Sequence, residues 1–462
     1  MPVDLAAPSI GAIVEPQPAL ALPPRPVRPL SSWQLLRTFP DNAVAACDEE
    51  LFEELVVERR FAWGRLFVVS DPDGIHHILH ANLDNYVRIP AVRRAFAFTS
   101  GGGMNHLEGE VWWRHRRMIN PALDHRALLS DLPQLIRITE EMAEHLAALP
   151  PDQEFEIGRA MTHLITRTTG QVFAGADRRI DALLLRLGRF PENYGPLDVL
   201  PLPRWLYFLD RFRRARSGLE EYCALLDELF AERRRDDYAG GKDLLWRMAT
   251  ARDRETGQQL SPAELRDEVL TLAAGSQAPM RAMTWGFYLL SQLPDAERRL
   301  HAELDAALGG RSPTLEDFPQ LLYMRRFIDE TMRLYPPLPV MLRTALADDR
   351  ICGRRVPKGS FIAIMPWVVH RHRKLWRDPE AFDPERFAPE RAAGRSRYAY
   401  IPFSVGGRTC VAASLGMAEI QIAFAVLAQR LRFRLVPGQA IEPTAWSTLR
   451  PKHGIMMTAE AR

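Results

Sequence analysis

The stretch FSVGGRTCVAA, Phe403 to Ala413, decides the fold. Gly406 and Gly407 allow a tight loop that residues with a Cβ would resist. Cys410 follows at the start of an apolar helical pattern, VAASLGMAEIQIAFAVLAQRL. A helix N-terminus offers free N–H groups and a positive dipole end, and both favour a thiolate. Arg408 adds a cation two residues away. One thiolate with no second Cys or His beside it makes a poor zinc site and a good single axial ligand. The same residues also allow an inert buried thiol, so the rest of the chain has to decide.

The chain has 462 residues, 47% hydrophobic and 26% charged, with a net charge of +2. That is an ordinary globular composition, and its charge points to no nucleic-acid partner. Only four of the 60 basic residues are lysines, yet no basic run of nucleic-acid type occurs. The four cysteines, Cys47, Cys223, Cys352 and Cys410, form no CxxC pair, which argues against a disulfide framework and a zinc site. Residues 1–30 hold eight prolines and read as an extended lead-in, with 31–462 as a single domain. Prolines interrupt every apolar run there, so no membrane span is expected. A cytoplasmic monomer is the default expectation.

Helical patterns dominate, at 74–81, 109–121, 126–148, 155–173, 177–189, 206–235, 261–292, 294–308 and 319–334. Strand character is limited to 65–72, 360–369 and 433–437. The fold class is therefore mainly α with a small β part, and irregular alternation argues against a doubly wound sheet. Ser261-Pro262-Ala263-Glu264 is a capping box that opens the longest helix. About 30 residues at ~1.5 Å each make it ~45 Å long, enough to cross a core. His76 and His80, four apart, could bind a metal, but with no third ligand they read as a solvated face.

The spacing Phe403-x-x-Gly406-x-Arg408-x-Cys410 resembles the heme-binding signature of the cytochrome P-450 superfamily. The family usually has Gly two residues after the Cys, where this chain has Ala412. Further motifs match in family order. Glu330-x-x-Arg333 lies on one helix face, and Arg386 in Pro384-Glu385-Arg386-Phe387 would complete a Glu-Arg-Arg structural triad. HRHRKLWRDP, 370–379, resembles the segment before it. Trp112 and Arg116 match a WxxxR pair that contacts heme propionates, and Arg343 falls where members place another propionate partner. Taken singly, each motif could be an ordinary ion pair or core aromatic.

The resemblance implies a cytochrome P-450 fold in which helix 261–292 crosses the core over a heme. It implies heme b with Cys410 as axial ligand to the iron, and Trp112, Arg116, Arg343, Phe403, Gly406, Arg408 and Ala412 around it. Thiolate ligation favours O–O cleavage. The implied activity is monooxygenation of a lipophilic small molecule. Without a flavin or iron–sulfur motif, electrons would come from a separate ferredoxin or reductase, docked near Cys410 and steered by Arg408 and other arginines. Substrate contacts would come from 86–108 (Val87, Phe96, Phe98), 186–206 (Leu200), Ala274, Val340, Met341, Leu342 and the hairpin near 446–450.

One departure concerns oxygen activation. Family members commonly carry an acid followed by threonine in the long helix. Aligning Ala274 and Gly275 with that pattern puts Gln277 on the acid and Ala278 on the threonine. A neutral amide does not relay protons as a carboxylate does, and Ala278 has no hydroxyl. Pro279 also removes a helix N–H, so the helix should bend there. A monooxygenase would need protons through Ser276, ordered water or the substrate. A peroxygenase, isomerase or dehydratase is the alternative, and a ligand-binding sensor without turnover is a third. Arg281 lies near the bend.

Overall fold

The computed structural model describes residues 20–61, 64–89, 93, 102–188, 210–235 and 237–462. Its main helices are α1 (Gly109–Ile119), α2 (Leu132–Ala147), α3 (Ile157–Ala174), α4 (Pro262–Gly275), α5 (Gln277–Gln292), α6 (Pro294–Leu308), α7 (Leu322–Leu334) and α8 (Ala413–Arg430). Helices Arg179–Gly188, Asp210–Arg233 and Leu244–Thr250 connect α3 to α4.

The long helix expected over 261–292 is two helices. α4 starts at the Ser261 capping box as read. It ends at Gly275, and α5 starts at Gln277. Between them the Ser276 N–H bonds three residues back to Ala273 rather than four. Pro279 is the physical cause, because it has no N–H for the Gly275 carbonyl. Nearly all of α5 is buried. Phe287 stacks on Phe424 of α8 at 4.7 Å, and Trp285 stacks on Tyr335 at 4.2 Å. A Cβ on Gly286 would stand 2.4 Å from the Phe424 ring, so the glycine permits that close crossing.

A five-stranded sheet flanks the helices: β1 (Val56–Phe61), β2 (Gly64–Val69), β3 (Tyr86–Val87), β4 (Met341–Ala345) and β5 (Phe361–Ile364), in the order β1-β2-β5-β4-β3. β2 runs parallel to β5, with Phe67 opposite Ile362. β4 runs antiparallel to β5 and places Arg343 opposite Ile362. A smaller sheet joins Phe155–Glu156, Met456–Ala461 and Leu431–Leu435.

Several expected boundaries move for local reasons. The strand expected over 360–369 covers only Phe361–Ile364, because Pro366 starts a helical turn, Pro366–Val369. The helix expected over 126–148 splits into His125–Leu128 and α2, with Pro133 in the new first turn. In the segment expected as helix over 155–173, the first two residues pair as strand and the Glu156 carboxylate caps α3. The segment 74–81 changes from α-helix to a π turn at His77–Ala81. Within the expected lead-in, the Ala21 carbonyl accepts from Tyr335 at 3.0 Å and Arg25 pairs with Glu380 at 2.8 Å. Residues 1–19 lie outside the described residues.

Candidate active site

The Cys410 loop is a tight turn, Gly406–Arg408, followed by Thr409 and then Cys410. α8 begins only at Ala413, so Cys410 precedes the helix rather than opening it. The Cys410 N–H donates to the Phe403 carbonyl at 2.8 Å, which folds the loop back on itself. Gly406 has φ +71°, and a Cβ there would meet the Leu79 carbonyl oxygen at 2.2 Å. No other residue type fits that contact. Burial raises the Cys410 thiol, and the Ala412 N–H and then Arg116 work against it. Protein surrounds the thiol closely, yet Cys410 keeps solvent access.

Four arginines gather on that side. Arg408 reaches Glu108 and lies 3.8 Å over the Trp112 ring. Arg88 bonds Glu108 through its backbone N–H at 3.1 Å and its guanidinium at 3.5 Å. Burial, then Arg88 and Arg408, push Arg343 down to about 9. Burial and then Arg88 push Arg408 down to about 10. Arg116 is also lowered, by burial first, while the Cys410 charge raises it. Guanidinium groups stay charged in proteins. These cations depress one another, and Glu108 is the carboxylate that offsets three of them. Such a cluster is built for added negative charge. A heme brings two propionates for the arginines and an iron for the thiolate, so the donor set fits it.

The expected triad forms as a buried cluster. Glu330 and Arg333 are fully buried on α7 and meet at 2.6 Å. Arg386 reaches Glu330 at 3.2 Å. Arg333 also donates to the carbonyls of His370 and Pro379, each at 2.7 Å. Burial, then Arg333 and Arg371, push His370 down to about 3, which leaves Nε2 able to accept. Nε2 takes the Ile401 N–H at 2.9 Å. The triad thus reaches the Cys410 loop through His370 and Ile401, a link that residue spacing does not reveal. Arg88 and Glu108 were missed likewise, since nothing in their local sequence marks them.

The central helix is different. Flanking residues are buried, while Ala274, Gly275, Ser276 and Ala278 keep access. A Cβ on Gly275 would meet nothing within 4 Å, so the bend borders open space. Gln277 is 3% and Arg281 7% exposed, both within the core. The Ser276 hydroxyl donates to the Ala273 carbonyl at 2.7 Å and so serves the turn itself. Met341 is buried on β4, with Val340 and Leu342 half-buried on either side. Leu449 in the C-terminal hairpin accepts from Trp285 at 3.2 Å. Phe96, Phe98 and Leu200 lie outside the described residues.

One expectation changes. The Arg408 side chain is only 6% exposed and bound to Glu108, so it is not available to steer a docking partner. His76 and His80 stack at 5.2 Å, and no metal-ligand cluster occurs among the described residues.

This chain belongs to the cytochrome P450 family, whose family description, Cytochrome P450, matches residues 24–459. It is similar to cyclooctat-9-en-7-ol 5-monooxygenase of Streptomyces melanosporofaciens, 32% identical over 88% of this chain and 83% of that one. It also resembles cyclooctatin synthase of the same organism, 33% identical over 71% of this chain and 72% of the other. The crystal structure of the cytochrome P450DA heme domain shares the fold, with a TM-score of 0.81, 22% identity and coverage of 96% and 99%. The protein is a heme-thiolate oxidoreductase of the monooxygenase type, acting on a small molecule with electrons from a separate redox partner. No helix among the described residues is long and apolar enough to cross a membrane.

Proposed function

We propose that this single-domain enzyme binds heme b with the Cys410 thiolate on the iron and hydroxylates a lipophilic small molecule. The observation that carries this reading is the set of mutually repelling arginines, Arg343 buried and Arg88, Arg116 and Arg408 half-buried, beside the solvent-accessible Cys410. Arg88, Arg116, Arg343 and Arg408 would hold the two propionates, with Trp112 stacked beneath Arg408. The bound heme supplies oxygen activation, favoured by thiolate ligation. The chain's own residues bind, orient and shield. Gly406 and the Phe403 carbonyl fix the loop, and the Glu330–Arg333–Arg386 cluster backs it.

Apolar residues at Ala274, Val340, Met341 and Leu342 favour an apolar substrate. The relative that acts on cyclooctat-9-en-7-ol supports a cyclic alkenol or its hydrocarbon precursor. The balance is RH + O2 + 2e− + 2H+ → ROH + H2O, with a ferredoxin as electron donor. Gln277 and Ala278 supply neither an acid nor a hydroxyl, so water at the open bend beside Gly275 and Ser276 carries the protons. The same bend favours a second reading, peroxide use, RH + H2O2 → ROH + H2O, which needs no external protons.

Purified heme-loaded protein incubated with cyclic alkenols, either with a ferredoxin system or with hydrogen peroxide, tests both. Product dependent on O2 and ferredoxin supports the first reading. Product from peroxide alone replaces it with the second. A thiolate-ligated heme that accepts no electrons and yields no product from either oxidant contradicts both.

A further inference from the structure

α1 and α4 meet at a buried cluster that the reading above does not use. His115 is 2% exposed and Glu268 fully buried. His115 Nδ1 lies 2.7 Å from Glu268 Oε1, and Nε2 lies 3.2 Å from Glu264 Oε1. Glu264 also pairs with Arg114 and caps its own helix through the Ser261 N–H. Both ring nitrogens therefore face carboxylate oxygens. Nε2 also lies 3.4 Å from Arg114 Nη2, so Arg114 and Glu264 share that edge of the ring.

Glu268 also faces this segment: the Met104 N–H lies on its side and lowers a carboxyl that burial raises, and the Gly102 N–H does the same to its neighbour Asp267. Gly103 fits tightly beneath: a Cβ there would stand 2.4 Å from Thr271 Oγ1 and 2.6 Å from the Asp267 carbonyl. The other end of this segment is tied to the arginine cluster. Arg88 and Arg408 both donate to the Leu107 carbonyl at 3.4 Å, and Glu108 binds both side chains. Residues 102–108 thus form a strap from α4 to the arginines near Cys410. His115 sits at its α4 end and is directly followed by Arg116.

We propose that His115 and Glu268 are positioning residues for heme: they lock α1 and the 102–108 strap onto the central helix, so that Arg116, Arg408 and Glu108 keep their places around the propionates. This rests on the heme reading above. A buried contact of this kind fixes the arrangement of the two helices, which makes heme retention the property to measure.

The test compares wild-type holoprotein with Glu268→Gln, His115→Ala, His115→Gln and Gly103→Ala. Heme transfer to apomyoglobin gives the loss rate, and thermal melting gives stability. Glu419→Gln, a buried acid on α8 away from the strap, serves as the control. The account expects Glu268→Gln and His115→Ala to lose heme at least about tenfold faster, beyond what their melting shifts explain. His115→Gln, which keeps an N–H toward Glu268, should recover most of the retention. Gly103→Ala should speed loss by lifting the strap without touching the pair. Loss rates that track melting temperature alone, as in the control, overturn the proposal. So does unchanged loss in Gly103→Ala where the pair variants fail to fold. If wild type holds no thiolate-ligated heme, the heme reading itself falls; if wild type holds it and the variants do too, only the lock is wrong.

Discussion

The loop around Cys410 and the bend at Ser276 are both helix boundaries, yet they are built in opposite ways. Around Cys410, the charged groups of the backing cluster are answered several times over. Glu330 meets two arginines, Arg333 reaches three carbonyls, and His370 passes the contact to Ile401. Around Ser276 the determinants are a proline without an N–H, an alanine without a hydroxyl and a glycine beside open space. The first region is rigid through redundancy and the second open through omission. On the proposed function, binding of the group rests on what the chain provides, and proton supply on what it leaves to solvent or substrate.

That contrast can be broken at either end. Cys410→Ser removes the soft ligand and should cut product formation by about 10⁴, or ~5.5 kcal/mol of barrier. Turnover above a tenth of wild type would mean that the loop does not carry the chemistry. Arg333→Ala leaves the buried Glu330 with Arg386 alone and should cost ~3–5 kcal/mol of stability, read by denaturant melting. A loss under ~1 kcal/mol would deny the cluster its backing role.

A third change probes the support beneath α8. Burial lifts Glu419 from 4.5 to about 7, with only the Thr168 and Thr169 hydroxyls donating to it. Between those values the folded chain keeps a proton that the unfolded chain releases. Stability therefore falls as pH rises through that window, by about 3 kcal/mol in all. Glu419→Gln should flatten the decline of melting temperature from pH 4.5 to 7, and an unaltered slope would contradict the assignment. The smallest effect sharpens the other side. Gln277→Asp with Ala278→Thr restores an acid and a hydroxyl at the bend and should raise product per electron pair about tenfold if proton supply limits coupling, ~1.4 kcal/mol. No gain would mean that water already serves the bend fully.

The same contrast explains what could be read in the sequence. The Cys410 loop, the Glu330–Arg333 spacing and the Pro279 bend were legible because each depends on residues close in sequence. Arg88, Glu108, His370 and the His115–Glu268 contact were not, since their partners lie up to hundreds of positions away. Even Arg408, which the motif places both around the heme and on a docking face, lies against Glu108 and Trp112, because spacing carries no burial. Proline explains most boundary shifts: Pro366 ends a strand early and Pro133 divides a helix.

The central claim is that Cys410 meets a heme as thiolate within the arginine cradle. The most direct measurement is the spectrum of the reduced protein under carbon monoxide. The account predicts the red-shifted Soret band of thiolate-ligated heme in the wild type and its loss in Cys410→Ser. A Soret band at the ordinary position in freshly purified, folded wild-type protein would contradict it.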